Sequence, residues 1–123
     1  MKGEDISDRL VDFSVRIIRL VNALPKNLVG KHVAGQLLRS GTSPGANYEE
    51  ARGAESQADF IHKLRITLKE LRESFYWLKV IKKAELLHLE RLEDISKEAS
   101  ELSNIIAKSI LTAKKRTKKD KSP

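Results

Sequence analysis

The sequence predicts an all-α protein: a left-handed, up-down-up-down four-helix bundle whose second helix is kinked near Pro44. Three observations lead there. Chain breakers are segregated, since all six glycines lie at or before Gly53 and Pro25 and Pro44 are the only prolines ahead of Pro123, so residues 54–122 contain neither. So long a run, rich in Leu, Lys, Glu, Ile and Ala, favours long helices. Apolar residues recur at alternating intervals of four and three, the spacing that keeps one helix face turned to a core. No segment sustains the period-two alternation of a half-buried strand.

The first helix is expected over residues 5–24, with Ile6, Leu10, Phe13, Ile17, Leu20 and Leu24 as its seam. Beside that seam runs a second apolar row of Val11, Val15, Ile18 and Val21, wider than one packing face requires, and these four are the candidate surface for self-association. Pro25 stops the helix by removing a donor and clashing with the preceding turn. The second helix is expected over 30–53. Ser43 and Pro44 offer either a kink in one continuous helix or a break into two; the continuous helix is preferred, with Ser43 and Asn47 available for backbone groups freed by the proline. Ala34, Leu38, Gly41, Gly45 and Tyr48 form a mostly small row along which another backbone can approach.

The third helix is expected over 56–83, entered through Ser56 and Asp59 as a variant capping box, with Phe60, Leu64, Leu68, Leu71, Phe75 and Leu78 as its seam. Lys82 and Lys83 suit the negative pole at its end. A short turn leads to the fourth helix over 88–113, with Leu92, Ile95, Ala99, Leu102, Ile106 and Ile110 inward. Short connections make successive helices antiparallel neighbours. Residues 114–123 are expected to be a basic disordered tail, because they bury too little to offset ordering.

Composition narrows the function. A chain of 123 residues, 40% hydrophobic and 33% charged, is one domain, and it has no cysteine, so disulfides, thiolate nucleophiles and sulfur-ligated metals are excluded. A reducing, cytoplasmic setting is expected, since no leader pattern or membrane-length apolar run is present. The net charge of +7 is concentrated at one end: residues 114–121 carry +5 and the rest only +2. Lys114, Lys115, Arg116, Lys118 and Lys119 are thus either a solubilising tail or a phosphate-binding arm. Along the third helix, Arg65, Lys69, Arg72, Tyr76, Lys79 and Lys83 share a side away from the core, a second candidate nucleic-acid surface with Tyr76 placed to stack on bases. The competing expectation is structural pairing of that row with Glu90, Asp94, Glu98 and Glu101 of the fourth helix. Trp77 is expected as an anchor at the edge of the core.

No enzyme is expected. Nucleophile elbow, phosphate-cradling glycine loop and diagnostic acid pair are all missing. Glu49, Glu50 and Glu55 near Tyr48 and Arg52 look like a solvated helix end. Asp59 with His62 and Glu85 with His88 have the i, i+3 spacing of carboxylate-bridged metal bundles, but they lie 26 residues apart, about 39 Å along a helix. No metal and no cofactor are expected.

Between Gln36 and Leu78 stand Gln36, Leu37, Arg39, Ser43, Asn47, Glu50 and Gly53, then Phe60, Ile61, Leu64, Leu68, Leu71 and Glu73. In these residues the chain resembles the four-helix-bundle family that includes proteins encoded in intervening sequences of bacterial 23S ribosomal RNA genes, and the accessory variability protein of diversity-generating retroelements; Glu70 stands where the family has a small residue. The resemblance implies a small up-down bundle assembling into rings of five, with RNA, DNA or a reverse-transcriptase-like enzyme as partner and no membrane. An oligomeric protein-interaction scaffold without a nucleic-acid role is the alternative. Independently of the family, Gln36, Arg39, Ser43, Asn47 and Glu50 share a helix face, and with Glu73 they are expected to form a hydrogen-bonded polar strip against the third helix or a neighbouring subunit.

Overall fold

The computed structural model describes residues 3–88 and 90–120. They form four helices, α1 (Gly3–Asn22), α2 (Leu28–Arg52), α3 (Gln57–Lys83) and α4 (Glu90–Asp120), with no strand among the described residues. Successive helices pack side by side and α4 returns against α1, so the fold is an all-α four-helix bundle. The α2–α3 seam is the most extensive and the α1–α4 seam much the sparsest.

Helix α1 opens with Glu4 and Asp5 at its positive pole and buries Ile6, Leu10, Phe13, Ile17 and Leu20. Leu24 is buried from the connection that follows. Val21 departs from the outward row assigned to it: it is only 7% exposed and belongs to the core. It lies four residues after Ile17, on the same face.

Helix α2 starts at Asn27, whose side chain accepts from the Gly30 amide at 2.9 Å, and it passes uninterrupted through a buried Pro44. One helix, not two, therefore spans this segment. Asn47 Nδ2 donates to the Ser43 carbonyl at 3.0 Å and to Ser43 Oγ at 2.9 Å. The carbonyl a proline at 44 deprives of its donor is that of Ser40, so the expected rescue falls on a different carbonyl. The small row seats α1 at its two glycines, while Leu38 of the same row is exposed: a Cβ at Gly41 would stand 2.7 Å from Ile17 Cγ1 and Cγ2, and one at Gly45 would meet Leu10 at 3.6 Å. Glycine there lets α1 side chains sit directly on the α2 backbone.

Helix α3 is capped by Ser56 Oγ, which accepts from the Asp59 amide at 3.0 Å. At its other end Glu85 adopts φ 56°, Leu86 N–H reaches the Ile81 carbonyl at 3.0 Å and Glu85 N–H the Lys82 carbonyl at 3.2 Å. This is a Schellman termination with glutamate where glycine is usual.

Helix α4 differs from expectation at its end. Residues 114–120, anticipated as the start of a disordered tail, continue the helix, and residues 121–123 lie outside the described part. Extending an existing helix avoids the cost of nucleation, Ala, Lys and Arg are strong helix formers, and terminal cations face the negative pole. Thr117 Oγ1 also donates to the Ala113 carbonyl at 3.1 Å.

The core is a column of Leu10, Phe13, Ile17, Leu37, Leu64, Leu71, Leu78, Leu102 and Ile106, all fully buried. Across it the Ser40 and Ser74 hydroxyls meet at 3.2 Å, a buried polar contact that fixes the register of α2 on α3.

Candidate nucleic-acid interface and neighbouring surfaces

The α3 row is at the surface throughout: Arg65, Lys69, Arg72, Lys79 and Lys83 are solvent-accessible, and Tyr76 is 52% exposed. From Arg65 to Lys83 it runs about 27 Å. No ion pair joins it to α4 among the described residues. Of the four acids expected to meet it, Glu98 and Glu101 turn to Arg9 of α1, at 2.6 and 3.4 Å, and Glu90 and Asp94 are exposed with no ion pair among the described residues. The hydrogen bond from Arg9 to Glu98 holds the guanidinium above its ordinary pKa. Sequence spacing alone does not point to Arg9, which takes two of the four acids away from the α3 cations. Lys79 lies over the Phe75 ring at 5.0 Å.

Tyr76 is part of an aromatic group at one end of the α2–α3 seam. Its ring meets that of Trp77 edge-on at 5.0 Å, and the exposed His32 of α2 meets Trp77 at 6.0 Å. Trp77 is half-buried, with Nε1 donating to Glu73 at 3.2 Å, which matches an anchor at the core edge.

Of the expected polar strip, Arg39, Glu50 and Glu73 bond across the same seam, whereas Ser43 and Asn47 bond to each other within α2. Arg39 donates to Glu70 at 2.9 Å and to Glu73, and Lys63 pairs with Glu50 at 3.5 Å. Burial pushes the Glu73 carboxyl up, but hydrogen bonds from Arg39 and Trp77 outweigh it and hold the group below its ordinary value. Glu70 is buried, and its bond to Arg39 explains how a carboxylate is accommodated at a position where a small residue would fit. Gln36 is half-buried on the same face.

On α1, Val11, Val15 and Ile18 are 55%, 38% and 43% exposed. Ser14, between them, donates to the Leu10 and Gly41 carbonyls at 3.0 and 3.3 Å, so this apolar row borders α2, where Leu38 is also exposed. The tail cations Lys114, Lys115, Arg116, Lys118 and Lys119 are exposed on the last turns of α4, beyond Ala113, whose carbonyl accepts from Gln57 at the start of α3 at 3.1 Å.

His62 and His88 are both exposed. Among the described residues no three His, Cys, Asp or Glu side chains gather as a metal site would require, and no helix is long and apolar enough to cross a membrane.

The molecule is thus a small all-α bundle with one outward basic face and one outward apolar face. Residues 4–108 match the family described as 23S rRNA-intervening sequence protein, and the chain belongs to that family. It is also similar, at 39% identity and a TM-score of 0.78, to a crystallised protein of unknown function from the S23 ribosomal protein family of Bacteroides thetaiotaomicron VPI-5482; the match covers 89% of this chain and 98% of that one. No curated protein matches the chain.

Proposed function

We propose that this chain is a non-enzymatic, self-associating cytoplasmic scaffold that holds nucleic acid through phosphate contacts, by itself or together with a nucleic-acid enzyme. The observation that supports this most is the outward α3 row of Arg65, Lys69, Arg72, Lys79 and Lys83, which makes no ion pair with α4 among the described residues while Arg9 engages Glu98 and Glu101. A row of cations with one exposed tyrosine suits a phosphate backbone carrying stackable bases. The cations at the end of α4 supply a second contact. Val11, Val15 and Ile18 supply the surface for assembly, the resemblance giving five as the subunit number, and a ring would repeat each weak basic patch along one polymer.

The test is binding of RNA and duplex DNA at low and physiological salt by the full chain, by a chain ending at Ala113, and by that shortened chain carrying Arg65→Glu and Arg72→Glu. Affinity should fall steeply with salt and show little sequence preference, each lost phosphate contact reducing the log–log slope by about 0.7–0.9. If the full chain fails to bind at low salt, the oligomeric protein-interaction scaffold is the better description. If neither alteration weakens binding, both basic surfaces are wrongly assigned.

A further inference from the structure

At the end of the bundle where α1 begins and α2 finishes, sparse α1–α4 packing leaves an open cleft of about 640 Å³. Among the described residues its polar lining is Arg52 and Tyr48 of α2 and Lys108, Ser109, Thr112 and Arg116 of α4, with no carboxylate, and the Ser109 and Thr112 hydroxyls donate to the Ile105 and Lys108 carbonyls of their own helix. Phe60, Ile6 and Ile105 form an apolar wall.

The local geometry brings the donors together. Tyr48 is buried, yet its hydroxyl and Arg52 Nε lie 3.2 and 3.7 Å from where a Cβ on Gly3 would stand, so both point to the same gap at the α1 terminus. Arg52 is held on its other side by Glu49, at 3.4 Å, and Glu49 also accepts from Ser7. One acid therefore orients the guanidinium from outside the cleft. Lys108 and Arg116 have no ion pair among the described residues, and although they stand about 12 Å apart along α4 and about 80° apart around it, both line this cleft.

We infer that this cleft binds a nucleoside phosphate, its phosphate held by Arg52, Lys108 and Arg116 with the Tyr48 hydroxyl, and its base lying against Phe60 and the adjoining isoleucines. Lys108 and Arg116 have no ion pair among the described residues and Arg52 has Glu49 as its partner, so the lining keeps a net positive charge that selects an anion, with Glu55 in the adjoining groove that shares Arg52 and Arg116. Guanidinium groups suit phosphate in particular. The volume is in the range of ligand sites and larger than a lone phosphate needs, and the apolar wall accounts for the remaining space. The phosphate can belong to a free mononucleotide or to the 5′ end of a strand, which present the same chemistry. This site is on a different part of the bundle from the α3 row and does not rest on the scaffold reading, though it shares Arg116 with the cations at the end of α4.

The experiment is titration calorimetry on the full chain with AMP, adenosine, inorganic phosphate, and short RNA oligomers with 5′-phosphate or 5′-hydroxyl ends. AMP should bind saturably, adenosine and inorganic phosphate more weakly. Lys108→Glu and Arg116→Glu, both at the surface and compatible with the fold, should each weaken AMP by about tenfold or more, and Tyr48→Phe by less. Arg65→Glu with Arg72→Glu should leave AMP binding unchanged, which separates this site from the basic row. Tighter binding of the 5′-phosphorylated oligomer than of both its 5′-hydroxyl form and AMP assigns the site to strand ends, and preference for AMP assigns it to free nucleotide. Absence of saturable AMP binding at millimolar concentration, or equal weakening by the α3 substitutions, would overturn the inference.

Discussion

Gly41→Ala tests how α1 is seated on α2. In an open helix interior, glycine to alanine gains about 1 kcal/mol by reducing backbone entropy in the unfolded chain. At Gly41 the new methyl would stand 2.7 Å from both Ile17 Cγ atoms and 3.0 Å from Ile17 Cβ. Ile17 is fully buried and β-branched, so its side chain can neither rotate away nor move into space, and α1 itself must shift. Overpacking of this kind costs about 1–3 kcal/mol, enough to cancel or reverse the propensity gain. Gly35 is the internal control on the same helix, since nothing lies within 4 Å of where its Cβ would stand. Urea unfolding at fixed protein concentration should show Gly35→Ala more stable than wild type by about 0.5–1 kcal/mol and Gly41→Ala less stable by about 1 kcal/mol. In the Gly41→Ala background, Ile17→Ala should cost less than it does alone, because the two changes relieve one contact. Equal stabilisation by both glycine substitutions would refute the close α1–α2 seating.

Glu85→Gly should stabilise the fold by about 0.5–1 kcal/mol, since glycine adopts the positive φ of the α3 termination without a Cβ penalty; a loss of stability in thermal melts would contradict it. Glu73 has a folded pKa below its ordinary one, so its contribution is present above the ordinary carboxylate value and is lost as pH falls through the folded value. The single tryptophan, Trp77, donates to this carboxylate, so its fluorescence should titrate in acid below the usual carboxylate range and stop doing so in Glu73→Gln; persistence of the transition would assign it elsewhere. Val11→Lys and Ile18→Lys should dissociate the assembly in light scattering without unfolding it, and a monomeric wild-type mass at micromolar concentration would remove self-association from the proposed function.

The four helices are legible in the sequence because their seams repeat, and repetition survives errors at single positions. Ile6, Leu10, Phe13 and Ile17 are buried as spaced, and Ser56 caps α3 as its side chain allows. Val21 falls on the other side of its expected boundary because two apolar rows run side by side on α1, and the line between them depends on where neighbouring helices sit. The end of α4 departs from expectation because poor burial does not by itself mean disorder: seven residues added to an existing helix need only local propensity. Partner choice across helices is least legible. Arg39 lies on the expected face, but its bonds to Glu70 and Glu73 depend on the register of α2 against α3, which is set by packing and not written in either helix alone.

The same limit governs the candidate sites. Glu98 and Glu101 lie on a helix with two neighbours, and sequence spacing does not say which neighbour they serve. Engagement with Arg9 draws Glu98 and Glu101 to the α1–α4 seam, while the cations remain outward on α3. Net charge is then a poor guide to binding, because a ligand meets the local field of one face and not the sum over the chain. Tyr48 and Arg52 show the same effect on a smaller scale. In sequence they stand among three glutamates and look like a solvated helix end. In the fold Glu49 pairs with Arg52, Tyr48 is buried with its hydroxyl beside Gly3 at the edge of a cleft, and two cations from α4, more than fifty residues away in the chain, complete a lining without a carboxylate among the described residues.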